Sequence, residues 1–249
     1  MKYLLLIISC VILTSALYGK ACISDFNEKR MEYKIIKAEG EVPLNGKWND
    51  SQWTKANILE LKNYMGGKPK HFPKTQVKIL YDSNNIYVFF RVKDNYIKAV
   101  AEKTQDPVYR DSCVEIFFTP GTDISEGYFN IEMNCGGTML MCHQTARKEN
   151  EVKISEQDCR KIKVYASMPK IITQEIVKPT TWTLQYSIPV KVLEKYAKLS
   201  KPCTRTKWRA NFYKCAERTS HPHWLTWSPI DYPTPDFHLP EYFGTLEFE

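Results

Sequence analysis

Between residues 77 and 248 apolar and polar positions alternate in short runs broken by turn residues, the period-two pattern of half-buried strands. Residues 77–81 and 86–92, separated by Asp82-Ser83-Asn84-Asn85, predict a hairpin with Ile86, Val88, Phe90 and Val92 on one face. Residues 114–119 form a further run, closed by Pro120-Gly121. In 128–134, Phe129, Ile131 and Met133 fall on one side, and Asn130, Glu132 and Asn134 on the other. Gly136-Gly137 breaks this run, and 138–142 returns. Runs at 161–166, 170–177, 182–188, 208–213 and 245–248 bring the total to about ten strands. Helical spacing occurs only over 189–199, with Pro189 in the first turn and Val192, Leu193 and Tyr196 on one face. The pattern predicts an all-β chain: an antiparallel β-sandwich of about ten strands with one short helix and long aromatic and proline-rich loops.

The start of the chain reads differently. Lys2 precedes a nearly unbroken apolar stretch over 4–17, too short to span a bilayer, and polar sequence follows. This predicts a signal peptide over 1–21, a linker over 22–40 and one sandwich domain over 41–249. The protein is then expected to be exported, either released to the periplasm or medium or held at the cell envelope by a lipid on Cys22. No other segment is suited to cross a membrane. Lys and Arg number 35 against 28 Asp and Glu, a formal charge of +7, but the two signs interleave and form no basic stripe. That excludes a nucleic-acid partner. Six of the eight cysteines lie beyond residue 22. An exported chain permits disulfides among them, though Cys113 and Cys215 sit in apolar runs and read as small buried hydrophobes.

One segment departs from ordinary strand-and-turn sequence. Of the 26 residues in 218–243, six are aromatic and five are proline. Proline at that density argues against a central strand and for a stiff loop carrying Trp224, Trp227, Tyr232, Phe237, Tyr242 and Phe243. A stiff aromatic loop beside polar strand faces suits a sugar. The C–H face of a pyranose packs on a flat ring, and its hydroxyls need fixed donors and acceptors.

Several stretches in order carry a resemblance: Leu44-Asn45-Gly46-Lys47-Trp48, Val77-Lys78-Ile79-Leu80-Tyr81-Asp82, Val92-Lys93-Asp94 and Arg110-Asp111-Ser112-Cys113-Val114-Glu115-Ile116-Phe117-Phe118. They continue with Tyr128-Phe129-Asn130-Ile131-Glu132-Met133-Asn134, Arg209-Ala210-Asn211-Phe212-Tyr213, Trp227-Ser228-Pro229 and Phe243-Gly244. Over residues 43–249 the chain resembles the family 9-like carbohydrate-binding modules of the DOMON-like β-sandwich group. The resemblance implies non-catalytic binding of an oligo- or polysaccharide, supporting glycan capture or degradation by enzymes on separate chains, and in some members a structural calcium. In characterised members two tryptophans sandwich a terminal sugar. Here those positions hold Val108, with Tyr109 beside it, and Phe237, while an arginine of the middle strand is replaced by Glu132.

The expected ligand-binding residues are therefore Tyr109, Trp224 and Phe237 for stacking, and Arg110, Glu132, Asn134, Arg209 and His238 for polar contacts. Asp94 and Asp111 are the candidate calcium ligands. The sequence also admits three other readings. Glu115 and Glu132 could form a glycosidase pair. Met133, Met139, Met141, His143 and His238 could serve as axial haem ligands in an electron-transfer module. His221 with His223, or Cys142 with His143, could contribute to a metal site, but neither pair has a partner at recognised spacing.

Overall fold

The computed structural model describes residues 31–249; the signal reading of 1–21 and the first part of the linker lie outside the described residues. The strands in chain order are β1 (Glu32–Lys37), β2 (Leu59–Glu60), β3 (Asn63–Tyr64), β4 (Lys74–Tyr81), β5 (Asn85–Ala99), β6 (Cys113–Thr119) and β7 (Tyr128–Asn134). They continue with β8 (Met139–Gln144), β9 (Val152–Lys153), β10 (Lys163–Ala166), β11 (Ile172–Pro189), β12 (Lys207–Cys215), β13 (Trp224–Thr226) and β14 (Gly244–Phe248).

One layer runs β10-β11-β5-β4 and the other β14-β12-β6-β7-β8-β9, with β1 joining them. The inward residues of the alternating runs meet between the layers. Val88, Phe90, Trp182, Leu184 and Tyr186 come from one side, and Ile116, Phe118, Phe129, Ile131 and Trp208 from the other. The β-sandwich is as expected, but it is not wholly antiparallel. β1 runs parallel to β14 through residues 32–35 and then parallel to β4 at Ile36 and Lys37. No tight turn links β1 to either neighbour in sequence, so no hairpin dictates its direction.

β1 also lies inside the stretch 22–40 read as a linker. Tyr33 and Ile35 point into the core from it, an alternation too short to stand out in the sequence. The runs at 170–177 and 182–188 fuse into the single strand β11, whose register against β5 shifts between Val177 and Thr180, where Pro179 cannot donate. The helix expected over 189–199 reduces to α3 (Val190–Leu193); α1 (Ser51–Thr54) and α2 (Glu156–Cys159) are equally short. Asp50 and Ser155 cap the latter two through their side chains.

Both outer faces are covered. Trp48, Trp53 and Phe89 cluster on the β4-β5 side. On the β12-β6-β7 side, Cys113, Phe117, Tyr128, Tyr213, Phe237 and Phe243 form a third cluster, and beside it the surface opens into a cavity.

Candidate functional site

The cavity, about 680 Å³, is floored by strand residues brought level by register. Glu115 on β6 pairs with Tyr213 on β12 and with Glu132 on β7, which pairs with Leu140 on β8. One step along, Phe117 pairs with Asn130, and Asn130 with Cys142. Alternation puts all of these on the face away from the core. The walls come from the turn that carries Tyr109 and Arg110, from Lys148, Glu151 and Lys153 beyond β8, and from Glu217, Trp224 and residues 235–238.

Of the eight expected ligand-binding residues, six line this cavity: Tyr109, Arg110, Glu132, Trp224, Phe237 and His238. Tyr109 and Trp224 are half-buried. Phe237 is 8 % exposed and stacks on Tyr213, with ring centroids 4.0 Å apart and planes at 10°. One of its faces is therefore taken by the protein. Arg110 extends over the Tyr109 ring, 5.7 Å from its centroid.

Asn134 and Arg209 are not part of the lining. Asn134 donates to the Asp111 carboxylate at 2.9 Å and accepts from the backbone of Gly136 and Thr138, so it holds the β7-β8 turn. Arg209 is 6 % exposed and donates through Nε to the Gly244 carbonyl at 3.0 Å and through a terminal nitrogen to the Phe243 carbonyl. Alternation predicts the face of each residue but not the reach of its side chain. The open-loop expectation for 218–243 is also corrected in part: residues 224–226 form β13, and Trp227 and Phe243 are buried.

The floor is a polar network. Asn130 donates to Glu132 Oε1 at 2.9 Å, Gln144 donates to Asn130 Oδ1 at 3.2 Å, and the Tyr128 hydroxyl donates to Gln144 Oε1 at 3.1 Å. His238 Nδ1 lies 2.9 Å from the Tyr128 hydroxyl and 3.3 Å from Gln144 Nε2. Burial pushes the His238 imidazole down to about 4, so it is neutral at pH 7. Glu132 Oε2 is buried without a hydrogen-bond partner. Burial, reinforced by the neighbouring Glu115, holds the Glu132 carboxyl well above its ordinary range. Burial likewise raises Glu115, whose Oε1 accepts from the Cys215 thiol at 3.0 Å. Phe117, Cys215, Asp236 and the rim lysines were not expected as ligand contacts, whereas Asn130 was among the polar strand residues read as able to meet a sugar. For Cys215 the signal was available, because it alternates onto the outer face of its strand.

Cys113, Glu115 and Cys215 place one potential ligand atom each within 4.8 Å of one another, a donor set suited to a thiophilic cation rather than calcium. Burial raises the Cys113 thiol, so a metal there would have to displace protons. The expected calcium ligands do not fit that ion. Asp111 Oδ2 already accepts from the backbone of Val100 and Ala101 and from Asn134. Asp94 accepts from His71 at 2.7 Å and faces the Lys214 ammonium at 3.6 Å.

That ammonium also contacts His223 Nε2 at 2.8 Å and occupies the place a metal on His223 would take, while His221 stacks on Tyr96. Burial and Lys214 lower His223 to about 3. Cys142 lies on the outer face of β8, and His143 packs against Phe129 on the inner one. The haem reading meets a similar obstacle: Met133, Met139 and Met141 pack in the core, apart from His238 on the outer face. The six cysteines among the described residues are free, five of them buried.

The family model described as carbohydrate-binding family 9 matches residues 49–248. Among solved structures, a candidate carbohydrate-binding protein from Bacteroides uniformis is 27 % identical, with a TM-score of 0.80 over 89 % of this chain and 100 % of that one. A family 9 module from Caldicellulosiruptor kristjanssonii in complex with glucose is 14 % identical, with a TM-score of 0.56 over 87 % of this chain and 95 % of that one. The module from the same organism in complex with cellotriose is 15 % identical, with a TM-score of 0.54 over 88 % and 94 %. At that identity these two show the fold alone. No match is found among curated proteins.

Proposed function

Because the chain belongs to carbohydrate-binding family 9, we propose that the cavity beside β6, β7 and β8 is its glycan site and that it binds without cleaving. The observation that carries this reading is the convergence of Tyr109, Trp224 and Phe237 on one cavity whose floor presents Asn130, Glu115 and Glu132. Its volume lies in the range of small-ligand sites. Rings take the apolar face of a pyranose, and the floor amide and carboxyls take its hydroxyls. The preformed network spares the ligand the entropy of ordering it.

Glycosidases place two carboxyl groups about the scissile bond, one of them ionised. Here Glu115 and Glu132 stand side by side on one floor, and burial raises both, which favours binding over hydrolysis. The same proposal takes in the signal-peptide reading. The sandwich would act outside the cytoplasm, released or lipid-anchored, beside separate glycan-degrading enzymes. Calorimetry with cellotriose, together with chromatography of the sugar after long incubation, tests the core of it. Binding with intact trisaccharide is expected. Trp224→Ala should weaken binding at least tenfold, and release of shorter sugars would overturn the non-catalytic reading.

A further inference from the structure

Resting on the carbohydrate-binding reading, we propose that the cavity selects a glycan carrying a free amine, with the ammonium seated against Glu115 and Glu132.

The argument begins with what the floor lacks. Glu115 and Glu132 are 1 % and 4 % exposed and sit opposite each other across β6 and β7. Two like charges at directly opposed strand positions are unfavourable, and burying them makes the repulsion worse. Buried carboxylates are ordinarily paired with a cation. No cation features among the groups acting most strongly on either carboxyl. Glu132 Oε2 is left without any hydrogen-bond partner, although the residue lines an open cavity. An unpaired buried oxygen facing a ligand space marks a contact that the ligand is to supply.

The protein's own cations are placed elsewhere. Lys148 is engaged by Asp236 at 2.9 Å, and Arg110 lies over Tyr109. In the lining, Glu151, Glu217 and Asp236 are matched in number by Arg110, Lys148 and Lys153, so any negative excess in the cavity has to come from the floor pair Glu115 and Glu132. His238 adds no charge at neutral pH. That excess appears only when a floor carboxyl gives up its proton, and a cationic ligand seated against it is what makes the loss favourable.

The rings point the same way. Trp224 at the cavity wall gives an ammonium an indole ring for cation–π attraction, and the three rings together give surfaces for the C–H face of the sugar. A neutral sugar would leave the two acids protonated. An aminoglycan arrives with its ammonium proton in place, and at least one floor carboxyl gives its own proton to bulk water, becoming the carboxylate that pairs with the ligand.

Three trisaccharides with the same β-1,4 backbone and different groups at C2 isolate the effect: cellotriose with hydroxyls, chitotriose with free amines and tri-N-acetylchitotriose with acetamides. Calorimetry at pH 5.5, where the sugar amines are ammonium before they bind, in two buffers of different ionisation enthalpy gives both affinity and proton count. Chitotriose should bind at least tenfold tighter than either of the others and release protons on binding. Glu132→Gln, and independently Glu115→Gln, should bring the ratio of chitotriose to cellotriose affinity to within about threefold and abolish the proton release, whatever either change does to cellotriose binding itself. Binding of cellotriose as tight as that of chitotriose overturns the inference and leaves the carbohydrate-binding reading standing. Binding of none of the three by folded protein overturns both.

Discussion

Phe237 stacks face to face on Tyr213, the centroids 4.0 Å apart, and meets Phe117 edge-on. The ring that lines the proposed glycan site is thus also a piece of the packed cluster beneath it. Phe237→Ala should therefore lose stability as well as ligand. Large-to-small changes at buried phenylalanines cost about 3–5 kcal/mol, and the cellotriose affinity should fall at least tenfold. Trp224, half-buried and at the cavity wall, provides the contrast. Its alanine variant should lose a similar factor in affinity for less than about 1.5 kcal/mol of stability. Calorimetric binding and urea unfolding on both variants check this. A Phe237→Ala protein as stable as the parent would mean that the stack contributes little.

The Glu115–Glu132 pair should make stability fall as pH rises. Burial raises both carboxyls above their unfolded values, so between the unfolded value and the folded one the native state holds more protons than the unfolded state. Stability is then full below about pH 4.3 and lost as pH rises through that window, by up to about 1.4 kcal/mol per pH unit for each group. Asp94 and Asp236, held low by their cationic partners, act the opposite way, but only in acid below that window. Between pH 5 and about 6.5 the histidines His143, His223 and His238, lowered by burial and so protonated only in the unfolded state, pull the other way, and the carboxyl pair is read from the difference between parent and variant. Urea unfolding from pH 5 to 7 should show Glu132→Gln gaining stability relative to the parent as pH rises. Parallel slopes would remove Glu132 from the account.

The sandwich was legible because both layers are built from runs whose period is short and regular. Phe129, Ile131 and Met133 face the core, and Asn130 and Glu132 the cavity, as their alternation requires. β1 was missed because only Tyr33 and Ile35 mark it, and its parallel pairing comes from partners more than forty residues away. Trp224, Phe237 and His238 were legible because density of rings and prolines is a local signal, while Tyr109 and Arg110 stood out only through the resemblance to the family. Arg209 and Asn134 were misplaced for the opposite reason. Both lie on outward-facing positions, yet each turns its polar end to a backbone turn, and that depends on neighbours supplied by distant strands.

Arg209 is expected to act on the fold and not on the ligand. Its guanidinium ties the carbonyls of Phe243 and Gly244 to β12. The chain is close-packed there, and a Cβ on Gly244 would stand 2.6 Å from the Trp227 ring. Arg209→Met leaves two buried acceptors short of a donor, at about 1–3 kcal/mol each. Urea unfolding should show a loss of about 2–6 kcal/mol, with cellotriose affinity of the folded fraction within about threefold of the parent. Lost affinity at unchanged stability would place Arg209 back in the site.

Asp94 and Lys214 make the most deeply buried ion pair among the described residues, both side chains fully enclosed and their charged atoms 3.6 Å apart. Burial alone would raise Asp94, but Lys214, and after it His71, outweigh that and hold it below the ordinary carboxylate range. Removing either charge strands the other. Asp94→Asn leaves an ammonium with His223 and the Cys215 carbonyl as acceptors and no counter-charge. Lys214→Met leaves a carboxylate with His71 alone among nearby side-chain donors. Each single change should cost about 3–5 kcal/mol. The double variant should cost less than their sum by at least about 1 kcal/mol, because neither charge is then left unpaired. A double-mutant cycle by urea unfolding measures the difference. If the two losses simply add, the pair is not coupled, and the enclosure of Lys214 is held by its bonds to His223 and Cys215.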